Sequence, residues 1–236
     1  MSGHSKWSNI QHRKIHQDCI KSKKFSKIIK EIFIAVKHLE SKNYSFQLKK
    51  LISNAKSMNI PKHTIEKTIQ KALNIQNSQN IKTFNIEGKI LGVSMIIECM
   101  TDNYNRMMSK LKNCFNKIGG RLCKNGELIH LFNHIGIFYV NTKNINCPIE
   151  EFELMSIDFG AKDFFIKKNI IYIYTDFKSF GFMKNNLEKF NIYYKSEIQW
   201  QAKYLQKISK NIKNKIIYFI ETLKMNEDIK QIYCNI

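Results

Sequence analysis

The succession of hydrophobic periods along these 236 residues leaves few folds open. Phe25, Ile28, Ile29, Ile32, Val36 and Leu39 recur at i, i+3, i+4, i+7 spacing, with Lys23, Lys24, Lys27, Lys30 and Lys37 mostly on the other faces. That is the pattern of one amphipathic helix, and Ser22 stands where its N-cap is expected. After a break at 40–43, Leu48, Leu51, Ile52, Ala55 and Met58 mark a second helix, and Ile65, Ile69, Ala72 and Leu73 a third. Pro61 falls where a first helical turn tolerates it. Residues 1–21 show no period and read as a basic, polar arm. Three short helices with close loops predict a small bundle, so 1–75 reads as arm plus bundle. The Asn/Gln/Ser-rich stretch 74–83 reads as a linker.

From residue 93 the pattern alternates. Val93 to Met100 is an apolar, β-branched strand, and Asp102 is placed to cap a helix that carries Met107, Met108, Leu111, Phe115 and Ile118 on one face. Gly119-Gly120 ends that helix, and one or two strands lie between Leu122 and Phe132. Next come a strand at 135–140, a helix at 150–159, strands at 163–166 and 170–175, a helix at 177–190 and a strand at 192–201. A helix bearing Ile212, Ile216, Phe219, Ile220 and Leu223, then a strand at 229–234, close the chain. The segment 133–206 is thus a complete βαββαβ sandwich. The β-α-β before it and the α-β after it form a second one if they join. The expected class is α+β: a three-helix bundle followed by two ferredoxin-like (split βαβ) domains, with 133–206 inserted into a discontinuous domain of 76–132 and 207–236.

Composition bears on partners. Lysine and arginine number 39 against 19 aspartates and glutamates, a formal charge of +20. With 36 Lys, 38 Ile and 25 Asn against 3 Arg, part of this excess reads as nucleotide-composition drift. Its distribution argues for more than drift. Residues 1–75 hold 16 basic and 4 acidic side chains, whereas 133–206 hold 9 and 8. A charge crowded at one end is the footprint of a polyanion site. No apolar run reaches 18 residues and the N-terminus has no apolar leader, which predicts a cytoplasmic chain without a membrane span. Six scattered cysteines without a CxxC pair read as reduced thiols.

No GxGxxG after a strand, P-loop, HExxH or GxSxG occurs. No catalytic residue, cofactor, metal or small-molecule substrate is therefore expected. His12, His16 and Cys19 have helical metal-ligand spacing but no evident fourth ligand, and His130 and His134 read as ordinary strand and loop histidines. Glu98 and Asp102 flank a strand end with no His or Arg clearly spaced to tune them. The arginines say more. Where Lys outnumbers Arg twelvefold, a surviving guanidinium suggests that its fork is needed. Arg13, Arg106 and Arg121 are candidates for bidentate contact with phosphate or carboxylate, and Asp102 or Glu98 competes for Arg106. In the arm, Trp7 either stacks on a base or packs as an anchor. The expected nucleic-acid contacts are Lys6, Trp7, His12, Arg13, Lys14, Lys23, Lys24, Lys27, Arg106 and Arg121. The turn at Asn59-Ile60-Pro61-Lys62 is only loosely like a helix-turn-helix.

Gly3-His4-Ser5-Lys6-Trp7-Ser8-Asn9-Ile10, followed by His12-Arg13-Lys14, resembles the N-terminal signature of the YebC/PmpR family. So do Asn59-Ile60-Pro61-Lys62 with Ile65-Glu66, Glu98-Cys99-Met100-Thr101-Asp102-Asn103 with Asn105-Arg106, and Gly119-Gly120 with Leu122. Gly160-Ala161 with Asp163, and Tyr233 and Asn235, fit as well. The resemblance implies a helical bundle and two α+β domains, the last inserted in the middle one, without a known catalytic residue or required metal. It implies a regulator of gene expression. The family label is DNA-binding transcriptional regulator. Other members, among them the mitochondrial translational activator of cytochrome oxidase subunit one, act on translation, and bacterial relatives are linked to ribosomes stalled on proline-rich stretches. The expected partner is thus DNA or ribosomal RNA, the latter with the ribosome. The chain departs from the pattern at Glu87-Gly88-Lys89-Ile90-Leu91-Gly92, which has fewer glycines, at Glu127-Leu128 after Gly126, and in replacing the usual acidic bias by +20.

Overall fold

A computed structural model describes residues 3–37, 42–74 and 81–236, with side chains for all of these except 3–17, 19, 42–47 and 74. Helix α1 (Gly3–Lys37) runs without a break. The stretch read as an arm is therefore helical, and Ser22 lies inside the helix rather than at its start. An apolar stripe is needed to dock a helix, not to extend one. Once the amphipathic half is nucleated, each added residue gains a backbone hydrogen bond at small cost. Helices α2 (Lys42–Ser57) and α3 (Lys62–Asn74) follow. They meet at a Schellman closure: Asn59 takes a φ of 59°, its N–H donates to the Lys56 carbonyl at 2.9 Å, and the Ile60 N–H reaches the Ala55 carbonyl at 3.0 Å. Asn tolerates this left-handed corner. The Pro61 carbonyl then accepts the first bonds of α3, from Thr64 and Ile65. Ile32, Phe33, Val36, Ala55, Ile60, Ile65 and Ala72 make the buried core of the three helices.

Two four-stranded sheets follow. The first contains β1 (Lys82–Ile90), β2 (Val93–Thr101), β3 (Arg121–Leu122) and β8 (Ile229–Cys234), in the order β3-β1-β2-β8, with helices α4 (Tyr104–Asn116) and α7 (Lys210–Lys224). Phe115 of α4 and Phe219 of α7 meet edge to face at 5.1 Å. Strand β1 begins in the stretch read as linker. It joins β2 through Leu91 and Gly92, both at positive φ, the geometry of a two-residue hairpin whose twist matches its strands.

The second sheet holds β4 (Phe132–Asn141), β5 (Ala161–Lys167), β6 (Ile170–Asp176) and β7 (Tyr194–Ala202), with α5 (Ile149–Asp158) and α6 (Phe177–Lys189). Its order is β5-β6-β4-β7 and every pairing is antiparallel, with Phe138 opposite Ile173 and Ser196. This is the expected βαββαβ sandwich, and it lies in sequence between β3 and β8 of the first sheet. The class is α+β, as expected. The two sheets differ in one respect. In the second, the strand beside β4 is β6, third in the run. In the first, the place beside β2 is filled by β1, which precedes it in the chain. Between Leu122 and Phe132, where one or two strands were expected, there is no further strand: β3 ends at Leu122 and β4 begins at Phe132.

Packing divides the chain into two compact units: Met1–Ile86 with Ile97–Gly119 and Lys210–Ile232, and Glu87–Ile96 with Gly120–Ser209 and Tyr233–Ile236. In the second unit Phe138, Val140, Phe152, Ile171, Ile173, Met183 and Leu187 fill the space between sheet and helices. Gly136 lets α6 approach β4: a Cβ there would run into Phe180 Cδ2 and lie 2.8 Å from Thr175 Oγ1. Overpacking of this kind costs about 1–3 kcal/mol. Gly136→Ala is expected to destabilise the protein by that amount in urea denaturation followed by tryptophan fluorescence.

Candidate nucleic-acid interface

Lys23, Lys27 and Lys30 follow one another at i, i+4 and i+7, one stripe of α1. The stripe faces β8 and the end of α7. Lys30 Nζ is 2.6 Å from Asp228 Oδ1, and Lys27 Nζ donates to the Lys230 carbonyl at 3.1 Å. Lys230 Nζ in turn sits 2.8 Å from Glu98 Oε1. Burial holds the Lys27 ammonium below the usual lysine range; Glu31 opposes that shift, and Lys224 and Lys230 add to it. Burial also raises the Glu31 carboxyl, against the pull of Lys230 and Lys27. Lys24 is exposed and Lys23 half-buried.

Asp228 is the pivot of this contact. Its side chain is 5% exposed, and it takes Lys30 on one oxygen and Arg106 Nη2, 3.7 Å away, on the other. Its carbonyl accepts the Met100 N–H at 2.7 Å. Arg106 also donates to Asp102 Oδ1 at 2.8 Å and to Thr101 Oγ1 at 3.3 Å. The α4 cap is a correction to the expectation: it is Asn103, whose Oδ1 accepts the Arg106 N–H at 2.9 Å. Asp102 turns instead to the Arg106 guanidinium. Burial alone would push Cys99 up, and with Asp228 and Glu98 nearby its thiol lies at about 12. It is inert at neutral pH.

Arg121 is likewise engaged inside the fold. It forms a two-point pair with Glu127, Nη1 to Oε2 at 3.2 Å and Nη2 to Oε1. Hydrogen bonds from Arg121, then from the Lys124 N–H, hold the Glu127 carboxyl at about 2. Glu127 is one of the departures from the family pattern, and this pair is what it does. Glu87, another, is buried, and its carboxylate accepts the N–H groups of Gly126, Leu128 and Ile129, tying the following loop to β1. Sequence reading missed this role, although a carboxylate inside an apolar strand pattern was its signal.

The remaining expected contacts divide by position. Lys6, Trp7, His12, Arg13 and Lys14 lie on the α1 backbone, and their side chains are outside the described residues, as are those of His16 and Cys19. Among the described residues no group of three His, Cys, Asp or Glu could hold a metal ion. Nor is any helix there long and apolar enough to cross a membrane. His134 is stacked between Phe177 and Trp200, each 4.2 Å away.

The second sheet offers a rival surface. Phe165 stacks on Tyr172 at 4.7 Å, and Tyr139 meets Tyr172 edge-on at 5.3 Å. Aromatics on central strands of a βαββαβ sheet are a way to stack bases. Glu197, which accepts the Tyr139 hydroxyl, and Asp163, beside Tyr174, oppose it here. A phosphate about 6 Å from a carboxylate is repelled by roughly 1–3 kcal/mol. The lysines of α1–α3 have the opposite sign of that effect. Lys49, Lys50 and Lys56 of α2, and Lys67 and Lys71 of α3, are exposed.

Comparison with known proteins is consistent from end to end. A family model for the TACO1/YebC protein N-terminal domain matches residues 5–75, and one for the TACO1/YebC second and third domain matches 81–236. A "probable transcriptional regulatory protein" of Rickettsia typhi is 36% identical over 243 residues, covering all of this chain and 94% of that one. Its counterpart in Mycoplasma mobile is 35% identical over 245 residues, covering 100% and 99%. The crystal structure of a conserved hypothetical protein from Aquifex aeolicus superposes with a TM-score of 0.68 at 29% identity, over 91% of this chain and 89% of that one.

Two outcomes follow from the ion pairs. Asp228→Ala leaves Lys30 and Arg106 without their shared carboxylate, both with access to solvent, and a loss of about 1–3 kcal/mol is expected in denaturant unfolding of the full chain. The Glu127 carboxyl is depressed, so its pair with Arg121 is complete above about pH 4.5 and lost only as the pH falls through about 2. Carbonyl NMR titration of Glu127 should show that midpoint, and Arg121→Ala should move it up toward the ordinary glutamate value.

Proposed function

Because this chain belongs to the TACO1/YebC family, we propose that it is a non-enzymatic regulator of gene expression that acts in the cytoplasm by binding nucleic acid through its helical N-terminal region. The observation that carries the reading is the placement of charge. Residues 1–75 hold 16 of the 39 basic side chains and only 4 of the 19 acidic ones. Helix α2 has four lysines and no carboxylate. Helix α1 alone spans about 52 Å at 1.5 Å per residue, long enough to follow several phosphates. Lys6, Trp7, His12, Arg13, Lys14, Lys23, Lys24 and Lys27 are the contacts. Arg106 and Arg121 hold carboxylates and join them by exchanging a carboxylate for a phosphate. The names of the relatives support the regulatory class.

Duplex DNA and ribosomal RNA present the same backbone chemistry, and one experiment separates them. The chain is sedimented through a sucrose gradient with and without ribosomes, and its binding to promoter-length DNA is measured across a salt series. Co-migration with ribosomes that is lost on Arg13→Glu with Lys14→Glu favours a translation factor. Sequence-selective protection of a promoter fragment identifies a transcription factor. In either case 6–10 phosphate contacts imply a loss of about 10³–10⁵ in affinity between 50 and 200 mM salt. A flat salt response contradicts the proposal.

A further inference from the structure

Compensation of charge along the α1 stripe is uneven. At its C-terminal end Lys30 meets the buried Asp228 carboxylate at 2.6 Å. One turn earlier the Lys27 ammonium hydrogen-bonds a neutral carbonyl, that of Lys230, and the Glu31 carboxylate offsets part of its charge. Another turn back, Lys23 and Lys24 open onto a cleft of about 470 Å³. The opposite wall brings another cation, Lys224 in the last turn of α7, some two hundred residues later in the chain. Two carboxylates, Glu221 and Glu227, share the rim with these four ammonium groups. The cleft is therefore net positive, and its lysines repel one another. A ligand with negative charge relieves that repulsion, and a neutral one does not.

We propose that Lys224 joins Lys23, Lys24 and Lys27 to form a cleft that receives the phosphodiester backbone of a nucleic acid. This inference rests on the function proposed above and adds a residue that lies outside the N-terminal region. The lining suits a polymer better than a free phosphate. Ile20 and Met225 supply apolar surface beside the cations, against which a sugar or base edge packs, and the exposed Gln231 amide adds a neutral hydrogen-bonding group. The volume falls in the range of clefts that enclose a ligand of several rings. Lys27 is the hinge of the site, since it lines the cleft while its ammonium is tied to β8. A polyanion seated there touches the first helix and the last helix of the chain together.

The test uses the full chain, a fluorescein-labelled single-stranded RNA and a duplex DNA of about 20 nucleotides each, and salt from about 50 to 200 mM. Lys224→Met keeps the aliphatic stem and removes the charge. It is expected to weaken binding roughly tenfold at the low-salt end and to make the log–log salt slope shallower by about 0.7–0.9, one phosphate contact. Lys224→Arg should retain both. Lys23→Glu with Lys24→Glu serves as the control for the underlying function. If that double variant loses binding while Lys224→Met matches the parent in affinity and slope, the cleft is overturned and the function stands. If the parent binds neither probe, or the double variant binds as well as the parent, both are overturned. Circular dichroism melting of each variant separates lost binding from lost folding.

Discussion

The buried Asp228 carboxylate is the interaction on which the arrangement of α1, α4 and β8 depends. It draws a lysine from α1 and an arginine from α4 to one point, while its own carbonyl receives the Met100 N–H of β2. A carboxylate with so little exposure is tolerated only when its charge is met, and removing the cations would leave Asp228 buried and uncompensated. The pair therefore sets where α1 lies against β8. The apolar core of the helices makes α1 stable, but apolar contact is non-directional. The ion pair picks the rotation that turns Lys23, Lys24 and Lys27 toward the α7–β8 corner.

From that point the charge along α1 becomes progressively less satisfied, and the biological reading follows from this gradient. A composition rich in lysine raises positive charge everywhere. It does not supply a carboxylate for Lys30, a carbonyl for Lys27 and a further lysine, Lys224, facing Lys23 and Lys24. The near balance of charges at 133–206 and the carboxylates beside the half-buried tyrosines of the second sheet point the same way. Sites that repel a polyanion and sites that attract it are separated along the chain.

Much of this was legible in the letters. The 133–206 sandwich could be read strand by strand, because alternation with short apolar runs and a helix between them is a strong local signal. The three helices were legible from their stripes. What failed has identifiable causes. Strand β1 carries Asn85, Glu87, Gly88 and Lys89, and its pattern is broken because Glu87 points inward to cap a loop rather than to fill a core. The first half of α1 has no stripe to read, since a helix extended from a docked half needs none. The cap of α4 shifted from Asp102 to Asn103 because Arg106 claims Asp102. The arginines were read as candidates for contact with phosphate or carboxylate; Arg106 and Arg121 meet carboxylates of the fold, and the Arg13 side chain lies outside the described residues. Lys224 could not have been singled out in a chain of 36 lysines, because only folding brings α7 beside α1.

The most direct measurement is photo-cross-linking of the full chain to its bound RNA or DNA, followed by mass-spectrometric mapping of the cross-linked residues. Cross-links should concentrate in 1–30, with a second group at the end of α7. Cross-links confined to 133–206, or their absence under conditions where the chain sediments with its target, would show that the basic helices are not where the polymer docks.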